Sequence, residues 1–442
     1  MHKTVALHTL GCKLNYSETS SIARQFESRG LKIKEYGEKT DIFVLNTCTV
    51  TENADRECRQ IIRSVLRQSP ETFIVVTGCY SQLKPGEIAE IEGVDLILGT
   101  SEKFKLLDYL EDVDTHELSC IGKKNEAEIY VSPLETINNS IGEGFSVDTD
   151  SRTRAFLKIQ DGCDYNCSFC TIPLARGGSR SLEPEKVIEN ARKIIDAGYN
   201  EIVLTGVNTG DYKYSSDSHF KFFDLLCELE KLDINRIRIS SIEPNLLTDD
   251  IISLTKSSGK MCNHFHIPLQ SGDAEILKKM RRRYNVQLYY DLIQKLNQQI
   301  QGIGIGVDVI VGFPGESDEN FESTFNFLDS LPISYLHVFN YSERKNTLAV
   351  GIEGKVNVKD RKIRSQILRN LSAKKRFEFY SNHINTTQEV LLESRKNGTI
   401  EGWTKNYIRI KTPYKEGIEN RIHKVKLTAA NGILPVHAEL LT

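Results

Sequence analysis

Residues 155–170 of this chain read AFLKIQDGCDYNCSFC. The first five residues predict a short buried strand, and the following Asp161-Gly162 predicts the turn at its end. Three cysteines come next in a C-x3-C-x2-C spacing: Cys163, Cys167 and Cys170. A structural zinc site is normally closed by four protein ligands. A site with three local thiolates keeps one position open, which favours an iron–sulfur cluster with one unique iron.

Strand and helix patterns alternate on both sides of this stretch. Between about residues 151 and 350 there are six strand candidates: 155–159, 201–204, 236–240, 264–267, 306–311 and 335–339. Six such units predict a partial or complete TIM-like α/β barrel. In the first 110 residues, four apolar runs alternate with helical segments and predict a parallel sheet. These runs are 4–7, 41–45, 73–76 and 95–98.

The helical period is lost beyond about residue 380. Short strand candidates at 388–392, 407–410 and 423–427 predict a small antiparallel β-barrel of OB-like type. We therefore expect an α/β protein with an N-terminal parallel-sheet domain and a central barrel, followed by a C-terminal β-barrel. The expected bounds are 1–115 for the first domain, 116–148 for a linker, 149–378 for the central barrel and 379–442 for the last domain.

Three further cysteines, Cys12, Cys48 and Cys79, each stand just beyond the carboxyl end of a predicted N-terminal strand. These ends share one edge of a parallel sheet, where ligands bind, so three loops can bring the thiols together. From the residues alone, a second metal site and three unrelated core thiols both remain open. The other four cysteines are interpreted as structural: Cys58, Cys120, Cys227 and Cys262.

Composition restricts the class of protein. The 442 residues are 39% hydrophobic and 26% charged, which excludes a disordered, collagen-like or coiled-coil chain. No apolar run approaches the ~20 residues that span a bilayer, and no secretory leader is visible, so we expect a soluble, cytoplasmic protein. Ten cysteines in a reducing compartment favour metal or redox chemistry over disulfides. The net charge of −3 gives no global signature of polyanion binding.

Taken together, these cysteines and domains resemble the methylthiotransferase family of radical S-adenosylmethionine (SAM) enzymes over nearly the whole chain. The resemblance implies that Cys163, Cys167 and Cys170 hold a [4Fe–4S] cluster whose free iron binds SAM. It implies an auxiliary [4Fe–4S] cluster on Cys12, Cys48 and Cys79, which supplies sulfur. The barrel cluster would take electrons from a flavodoxin- or ferredoxin-type donor and cleave SAM to a 5′-deoxyadenosyl radical. The C-terminal barrel would be a TRAM domain.

Two short motifs narrow the resemblance within the family. Residues 9–15 (TLGCKLN) and 46–51 (NTCTVT) resemble the branch that converts N6-threonylcarbamoyladenosine (t6A) at tRNA position 37 to its 2-methylthio derivative. The isopentenyladenosine branch typically has Gln-Met after its first cysteine, and the ribosomal-protein branch has Pro-Lys, whereas Lys13-Leu14 stands here. The sequence departs from the family at Asn346, where Gly is expected before Thr347.

The resemblance also implies SAM contacts at the carboxyl ends of the barrel strands. The superfamily usually contacts the methionine moiety after the second strand, and the fifth-strand segment packs on adenine. The expected SAM contacts are Thr205, Gly206, Asn208, Ser240, Glu243, Gln270, Ser271, Ile310 and Gly312. From the residues alone, these positions can equally be ordinary barrel loops, and no catalytic side chain is predicted.

Basic and aromatic residues point to a nucleic-acid partner. Residues 355–376 hold nine basic side chains and one acidic one, and 278–283 form a second basic run. A basic run alone is usually a solvated helix face. In the C-terminal barrel, however, Trp403, Tyr407 and Tyr414 stand among lysines and arginines, a pattern typical of surfaces that stack single-stranded bases. With the TRAM resemblance, this predicts that a tRNA anticodon stem-loop binds there.

Three functions stay open at this stage. The first is the t6A methylthiotransferase. The second keeps the same chemistry but acts on isopentenyladenosine tRNA or on a ribosomal protein. The third is a non-catalytic, zinc-dependent RNA-binding protein that uses the same thiols.

Overall fold

A computed structural model describes residues 3–49, 52–110, 122–136, 141–147, 153–214, 219–430 and 435–441. Val50 and Thr51 of the second family motif lie outside the described residues, as does Cys120. Within the described residues, no helix is both long enough and apolar enough to cross a membrane.

The N-terminal domain alternates strands with helices. Its elements are β1 (Thr4–Thr9), α1 (Lys13–Ser28), β2 (Lys32–Lys34), β3 (Ile42–Thr47), α2 (Glu52–Gln68), β4 (Phe73–Gly78), α3 (Cys79–Leu83), α4 (Pro85–Ala89), β5 (Leu96–Leu98) and β6 (Glu128–Tyr130). The six strands pair in the order β2-β1-β3-β4-β5-β6, and every pair is parallel. The predicted parallel sheet is therefore confirmed. Strands β3 and β4 are buried along their whole length, as expected for a sheet covered on both faces.

The position of β6 corrects the expected linker over 116–148. Leu96 to Leu98 pair with Glu128 to Tyr130, so part of that segment belongs to the N-terminal sheet. Ile129 and Tyr130 are exposed, because β6 forms the edge of the sheet. The strand has only three residues and no buried face, and hydrophobic periodicity therefore gave no signal for it.

The central domain contains the six predicted parallel strands. Its strands are β7 (Arg154–Lys158), β8 (Gln160–Asp161), β9 (Arg180–Ser181), β10 (Glu201–Thr205), β11 (Arg236–Ile239), β12 (His264–His266), β13 (Gly304–Val311) and β14 (Tyr335–Asn340). Its helices are α5 (Ile172–Arg176), α6 (Pro184–Asp196), α7 (Phe222–Glu230), α8 (Asp249–Ser257), α9 (Ala274–Lys279), α10 (Val286–Gln299), α11 (Asp318–Ser330) and α12 (Val358–Ser381). Short 3-10 helices occur at Glu102–Tyr109, Leu134–Thr136, Thr209–Asp211, Pro244–Leu246 and Leu348–Gly351.

Two parallel sheets, β11-β10-β7 and β12-β13-β14, make up the barrel wall. A parallel bridge between Ile237 and Met261 joins them. Alternate residues face opposite sides of each strand. On β7, Ala155 and Leu157 point into the apolar layer under the helices, whereas Phe156 and Lys158 point to the inner face, which we call the lumen.

Helix α1 of the N-terminal domain lies along the lumen side of β7. The ring of Tyr16 meets the ring of Phe156 edge-on, with centroids 5.6 Å apart. Further along α1, the buried Glu18 carboxylate accepts hydrogen bonds from Lys103 (2.6 Å), Lys158 (2.8 Å) and Arg176 (2.9 Å). Asp161 accepts from the same Lys158 and Arg176. We call these five side chains the ion network, and it ties the first domain to the barrel.

The ion network predicts a large cost for neutralising Glu18. The variant Glu18→Gln would leave three buried cations facing one carboxylate, and removing one partner of a buried ion pair costs about 3–5 kcal/mol. Burial alone would raise the pKa of Glu18, but Arg176, Lys103 and Lys158 hold it below its ordinary value. Because the folded pKa is depressed, this stabilisation is present above the unfolded pKa and is lost as pH falls toward the folded one.

Urea denaturation of wild type and Glu18→Gln from pH 7 down to pH 3 measures both effects. The variant should unfold at lower urea at pH 7, and its stability should depend less on pH than that of wild type. The matched control is Glu27→Gln, since Glu27 is exposed on the same helix. Equal stability of Glu18→Gln and Glu27→Gln at pH 7 would contradict the role of the network.

The C-terminal domain is a closed five-stranded barrel, as predicted. Its strands are β15 (Thr387–Lys396), β16 (Thr399–Thr404), β17 (Arg409–Pro413), β18 (Ile422–Ala429) and β19 (Val436–Leu440). They close in the order β15-β16-β17-β19-β18. All pairs are antiparallel except β17 with β19, which is parallel and corrects the expectation of a wholly antiparallel barrel.

The C-terminal barrel is docked against the amino-terminal ends of the central strands. Arg236 donates to the carbonyls of Trp403 and Glu389, and Arg238 donates to the carbonyl of Lys405. Tyr407 stacks on His264 with centroids 4.5 Å apart. Deletion of residues 380–442 would therefore remove the carbonyl acceptors that the C-terminal barrel offers to these two buried arginines, so it is unsuitable as a test of RNA binding.

Candidate active site

The first cysteine trio lies in the loop that follows β7 and β8. Gly162 has a φ of +70°, and a Cβ there would lie 2.0 Å from the carbonyl oxygen of Gly178. Only glycine suits this turn, which brings the Cys163 amide within 3.1 Å of the Gly177 carbonyl. The turn anchors the start of the cysteine loop against the residues that follow α5.

Hydrogen bonds reach two sulfurs of this trio. The Arg282 guanidinium donates to Cys167 Sγ at 3.1 Å, and the Tyr165 amide donates to Cys163 Sγ at 3.4 Å. Burial raises the pKa of Cys163 to about 11 and that of Cys170 to about 12. These side chains are therefore thiols at neutral pH, and a metal that bound them would displace their protons.

Arg282 is a site residue that sequence reasoning missed. It belongs to the basic run 278–283, whose composition suggests a nucleic-acid contact. In the structure Arg282 also pairs with Glu243, whereas Lys278 and Arg281 of the same run are exposed. The sequence of a basic run does not show which of its residues points into the protein.

The second trio lies at one edge of the N-terminal sheet, as the strand positions predict. Cys12, Cys48 and Cys79 follow β1, β3 and β4 directly or within three residues. A Cβ on Gly11, which has a φ of +104°, would lie 2.6 Å from Cys48 Cβ, so the first two loops are in contact. Burial raises the pKa of Cys79, while Arg176 of the ion network and Lys103 oppose this and Cys12 adds to it.

Sulfur spacing tests which metal group these thiols fit. A tetrahedral zinc ion with bonds of about 2.3 Å holds its sulfurs about 3.8 Å apart. Among the described residues, the one group of three ligand atoms within 4.8 Å of one another is formed by His266, Asp308 and His337. Both cysteine trios are thus more widely spaced than a single ion requires. Three free thiols at wider spacing suit the larger [4Fe–4S] core.

A cavity of about 200 Å³ adjoins the first trio and holds two of the predicted SAM contacts, Gln270 and Ile310. Phe169, Cys170 and Tyr341 line it as well. The cavity therefore joins one cysteine of the first trio to apolar walls and to the ends of two barrel strands, β13 and β14. This combination suits a nucleoside bound beside the cluster.

Two other predicted contacts present buried polar atoms without a partner. Thr205 Oγ1 and both side-chain polar atoms of Asn208 accept or donate no hydrogen bond within the described part of the chain. Buried polar groups are nearly always hydrogen-bonded, so these atoms indicate a missing polar ligand. They fit the amino and carboxylate groups of SAM.

Most of the remaining predicted SAM contacts already have neighbours or partners within the protein. Glu243 pairs with Arg282, and Gly206 approaches Gln160 closely. Ser240 directly follows β11 and is half-buried. Ser271 bonds Thr324 of α11, and a Cβ on Gly312 would lie 2.2 Å from Arg361. For the last two, helix packing therefore explains the residue type without a ligand.

His266, Asp308 and His337 form a polar cluster inside the barrel that sequence reasoning missed. Asp308 Oδ1 lies 2.8 Å from His266 Nε2 and 3.4 Å from His337 Nδ1. Burial would raise the pKa of Asp308, but the two imidazoles hold it below its ordinary value. The cluster offers three ligand atoms for a cation, and Asp308 also lines the cavity beside Cys170.

The predicted RNA-binding residues divide into two sets. Trp403 stacks on Tyr407 at 4.3 Å, and Tyr407 stacks on His264, so both aromatics are engaged within the protein. Their expected role as base-stacking platforms is not supported. Tyr414 is half-buried against the core of the C-terminal barrel, and the exposed Arg395 lies over its ring. In the run 355–376, Arg361, Arg364 and Lys375 are buried and bonded to the barrel.

Comparison with known proteins gives matches along nearly the whole chain. Residues 157–328 match the Radical SAM superfamily, and residues 4–99 match a family described as "Uncharacterized protein family UPF0004". A threonylcarbamoyladenosine tRNA methylthiotransferase from Bacillus subtilis (strain 168) is 40% identical over 97% of this chain and 94% of that protein. Its counterpart from Aquifex aeolicus (strain VF5) is 36% identical over 93% and 97%.

Two further matches are more distant. A tRNA-2-methylthio-N(6)-dimethylallyladenosine synthase from Clostridium botulinum (strain Hall) is 33% identical over 88% of this chain and 85% of that protein. Among solved structures, a radical SAM methyltransferase from Kitasatospora setae superposes with a TM-score of 0.52 at 15% identity, covering 77% of this chain and 75% of that one. The structural likeness supports the fold alone.

Proposed function

We propose that this chain, which belongs to the radical SAM methylthiotransferase family of tRNA-modifying enzymes, converts t6A at position 37 of tRNA to its 2-methylthio derivative with two [4Fe–4S] clusters. The observation that carries the proposal is the placement of two open cysteine trios around one barrel. The identities of 40% and 36% to the t6A enzymes from Bacillus subtilis and Aquifex aeolicus, against 33% to the dimethylallyladenosine synthase, support t6A as the substrate.

In this proposal the protein holds, orients and shields its cofactors. When bound, the clusters and SAM supply the electron, methyl and sulfur chemistry that side chains lack. Cys163, Cys167 and Cys170 hold one cluster, and Arg282 donates to the Cys167 sulfur, which stabilises its thiolate. Thr205 and Asn208 offer unpaired polar atoms to the polar end of SAM.

The second trio, Cys12, Cys48 and Cys79, would hold the auxiliary cluster. Helix α1 begins one residue after Cys12 and runs along the lumen side of β7, so the two trios are presented to the same space. A base bound between them would meet both centres. The electrons would come from a small flavodoxin- or ferredoxin-type protein, and the enzyme would act in the cytoplasm on tRNA.

The direct test of function is nucleoside analysis of tRNA after anaerobic incubation. Reconstituted protein receives SAM, a reductant and tRNA that bears either t6A or isopentenyladenosine at position 37. We expect 2-methylthio product from the t6A substrate and little from the other. Product from isopentenyladenosine alone would overturn the substrate assignment.

Exposed cations on the C-terminal barrel support tRNA binding there. Lys396, Lys424 and Lys426 are all exposed. Replacing all three with Gln should weaken tRNA binding, because each lysine that neutralises a phosphate releases a counterion. The slope of log affinity against log salt should become shallower by up to about 2. Fluorescence anisotropy of labelled tRNA between 50 and 300 mM salt, roughly the range in which this effect is large, measures it.

The matched control for that triple variant is Lys32, Lys39 and Lys105 replaced with Gln. These lysines are exposed on the N-terminal domain and change the net charge equally. Binding should differ little from wild type in the control. An equal loss of slope in both triple variants would mean that the C-terminal barrel contributes no specific phosphate contacts.

A further inference from the structure

The lumen has a cationic floor at its amino-terminal end. Side chains from β7, β10, β11 and the C-terminal barrel meet there. They are Arg154, Glu201, Arg236, Arg238 and Tyr407, which we call the lumen floor. Lys13, the first residue of α1, lies within electrostatic reach of Arg154, Arg238 and Tyr407.

The floor's own cations are paired, whereas Lys13 is not. Arg154 bonds the Glu393 carboxylate at 2.6 Å, and Arg238 bonds that of Glu201 at 2.6 Å. Arg236 donates to two carbonyls of the C-terminal barrel. Within the described ranges, Lys13 makes no hydrogen bond and no ion pair. Its side chain keeps contact with solvent, but the surrounding protein lowers its pKa through burial. Four cations thus share two carboxylates, Glu201 and Glu393.

Two neighbouring groups report the resulting positive potential. Burial would raise the pKa of Tyr407, but Lys13, Arg154 and Arg238 lower it below its ordinary value. The pKa of His264 is lowered by burial and by Arg238, His266 and Lys13. For Tyr407 the positive charges outweigh burial, whereas for His264 burial is the larger cause and the positive charges add to it. An anion in the lumen would offset that charge.

The upper wall of the same lumen leads to the reaction centre. His266 and His337 flank Asp308, which lines the cavity beside Cys170. Lys13 directly follows Cys12 of the other trio. Because Lys13 adjoins the second trio and lies within electrostatic reach of the lumen floor, it is available to a substituent of a base held between the two trios.

We propose that Lys13 binds the carboxylate of the threonylcarbamoyl group in the lumen and so selects t6A over a base with an apolar substituent. The inference rests on the proposed function and deepens it. The threonylcarbamoyl group ends in a free carboxylate, whereas an isopentenyl group has no charge to offer. The ammonium group of an unpaired lysine can form an ion pair with the carboxylate. Beside an isopentenyl group the same ammonium would lose water without gaining a partner, which disfavours binding.

The test compares two ligands on variants of one residue. The probe is an anticodon stem-loop RNA with t6A at position 37, and its partner is the same RNA with the threonyl carboxylate methyl-esterified. Dissociation constants are measured anaerobically on the cluster-loaded protein. We expect wild type to prefer the acid over the ester by roughly 10- to 100-fold, the range for a hydrogen bond between charged groups.

Lys13→Gln should bind both RNAs as weakly as wild type binds the ester, and Lys13→Arg should keep most of the preference. Lys32→Gln, on the exposed edge strand β2, should behave as wild type. Because Lys13 adjoins Cys12, iron content is measured for each variant. If Lys13→Gln holds less iron, the same two RNAs are compared on metal-free wild type and variant, so that only carboxylate-dependent binding counts.

The inference would be overturned if Lys13→Gln preferred the acid RNA over the ester RNA as strongly as wild type does. It would also be overturned if the wild-type protein bound the two RNAs equally. Failure of the proposed function has a different signature. In that case wild type forms no 2-methylthio product from t6A tRNA at all. If wild type formed 2-methylthio product normally and Lys13→Gln kept its preference for the acid RNA, only the role of Lys13 would be refuted and the proposed function would stand.

Discussion

Cys167→Ala should abolish reductive cleavage of SAM. Cys167 is the middle cysteine of the barrel trio, and its sulfur accepts the Arg282 hydrogen bond. A cluster held by two thiolates cannot keep the open iron on which SAM depends. The measurement is chromatography of 5′-deoxyadenosine after anaerobic incubation with SAM and a chemical reductant.

The matched control for this loss is Cys227→Ala. Cys227 lies on α7, a helix on the outer side of the barrel, and has no proposed role. Its variant should cleave SAM as wild type does and keep the full iron content. If Cys167→Ala still formed 5′-deoxyadenosine, the assignment of the barrel trio as ligands of the SAM-cleaving cluster would be refuted.

The triple variant with Ala at Cys12, Cys48 and Cys79 should separate the two centres. It should lose about half of the bound iron, since a cluster without its thiolates does not persist. Deoxyadenosine formation should remain detectable because the barrel trio is intact. No 2-methylthio nucleoside should form, as measured by nucleoside analysis of tRNA.

Cys58→Ala serves as the control for the triple variant. Cys58 is fully buried on α2 of the same domain, so it tests whether loss of any N-terminal thiol disturbs iron binding. Methylthiolated product from the triple variant would refute the auxiliary role. Visible absorption of the anaerobic protein adds a separate check, because zinc is colourless and would indicate the RNA-binding alternative.

The parts of the fold that bury apolar residues were predictable from sequence. All six barrel strands were predicted to within two residues at each end, because their alternate residues pack under helices. Six shorter or irregular strands were not predicted: β2, β6, β8, β9, β16 and β19. Strands β2 and β6 have only three residues each, and β16 contains Gly402, whose Cβ would lie 2.3 Å from the Leu391 carbonyl oxygen.

For the candidate site, the sequence predicted the positions of both cysteine trios, but it did not predict the side chains that surround them. Cysteine positions relative to strand ends are local, and the structure brings each trio to the expected edge. Arg282, Asp308 and His337 come from three separate segments, and their meeting depends on the closure of the barrel. Trp403 and Tyr407 show the converse, since an aromatic beside cations looks the same whether it faces RNA or a neighbouring domain.

The ion network sets how substrate can reach the centre. Glu18 lies six residues after Cys12, while Asp161 and Arg176 bracket the barrel cysteines, so five side chains fix the gap between the two trios. Hinge opening of that gap would have to separate buried ion pairs, which is costly. The distance between the two trios therefore stays fixed when substrate binds. The RNA has to change its conformation instead, by swinging the target base out of its stack. Hydrogen exchange in α1 and β7 should accordingly stay unchanged when tRNA binds.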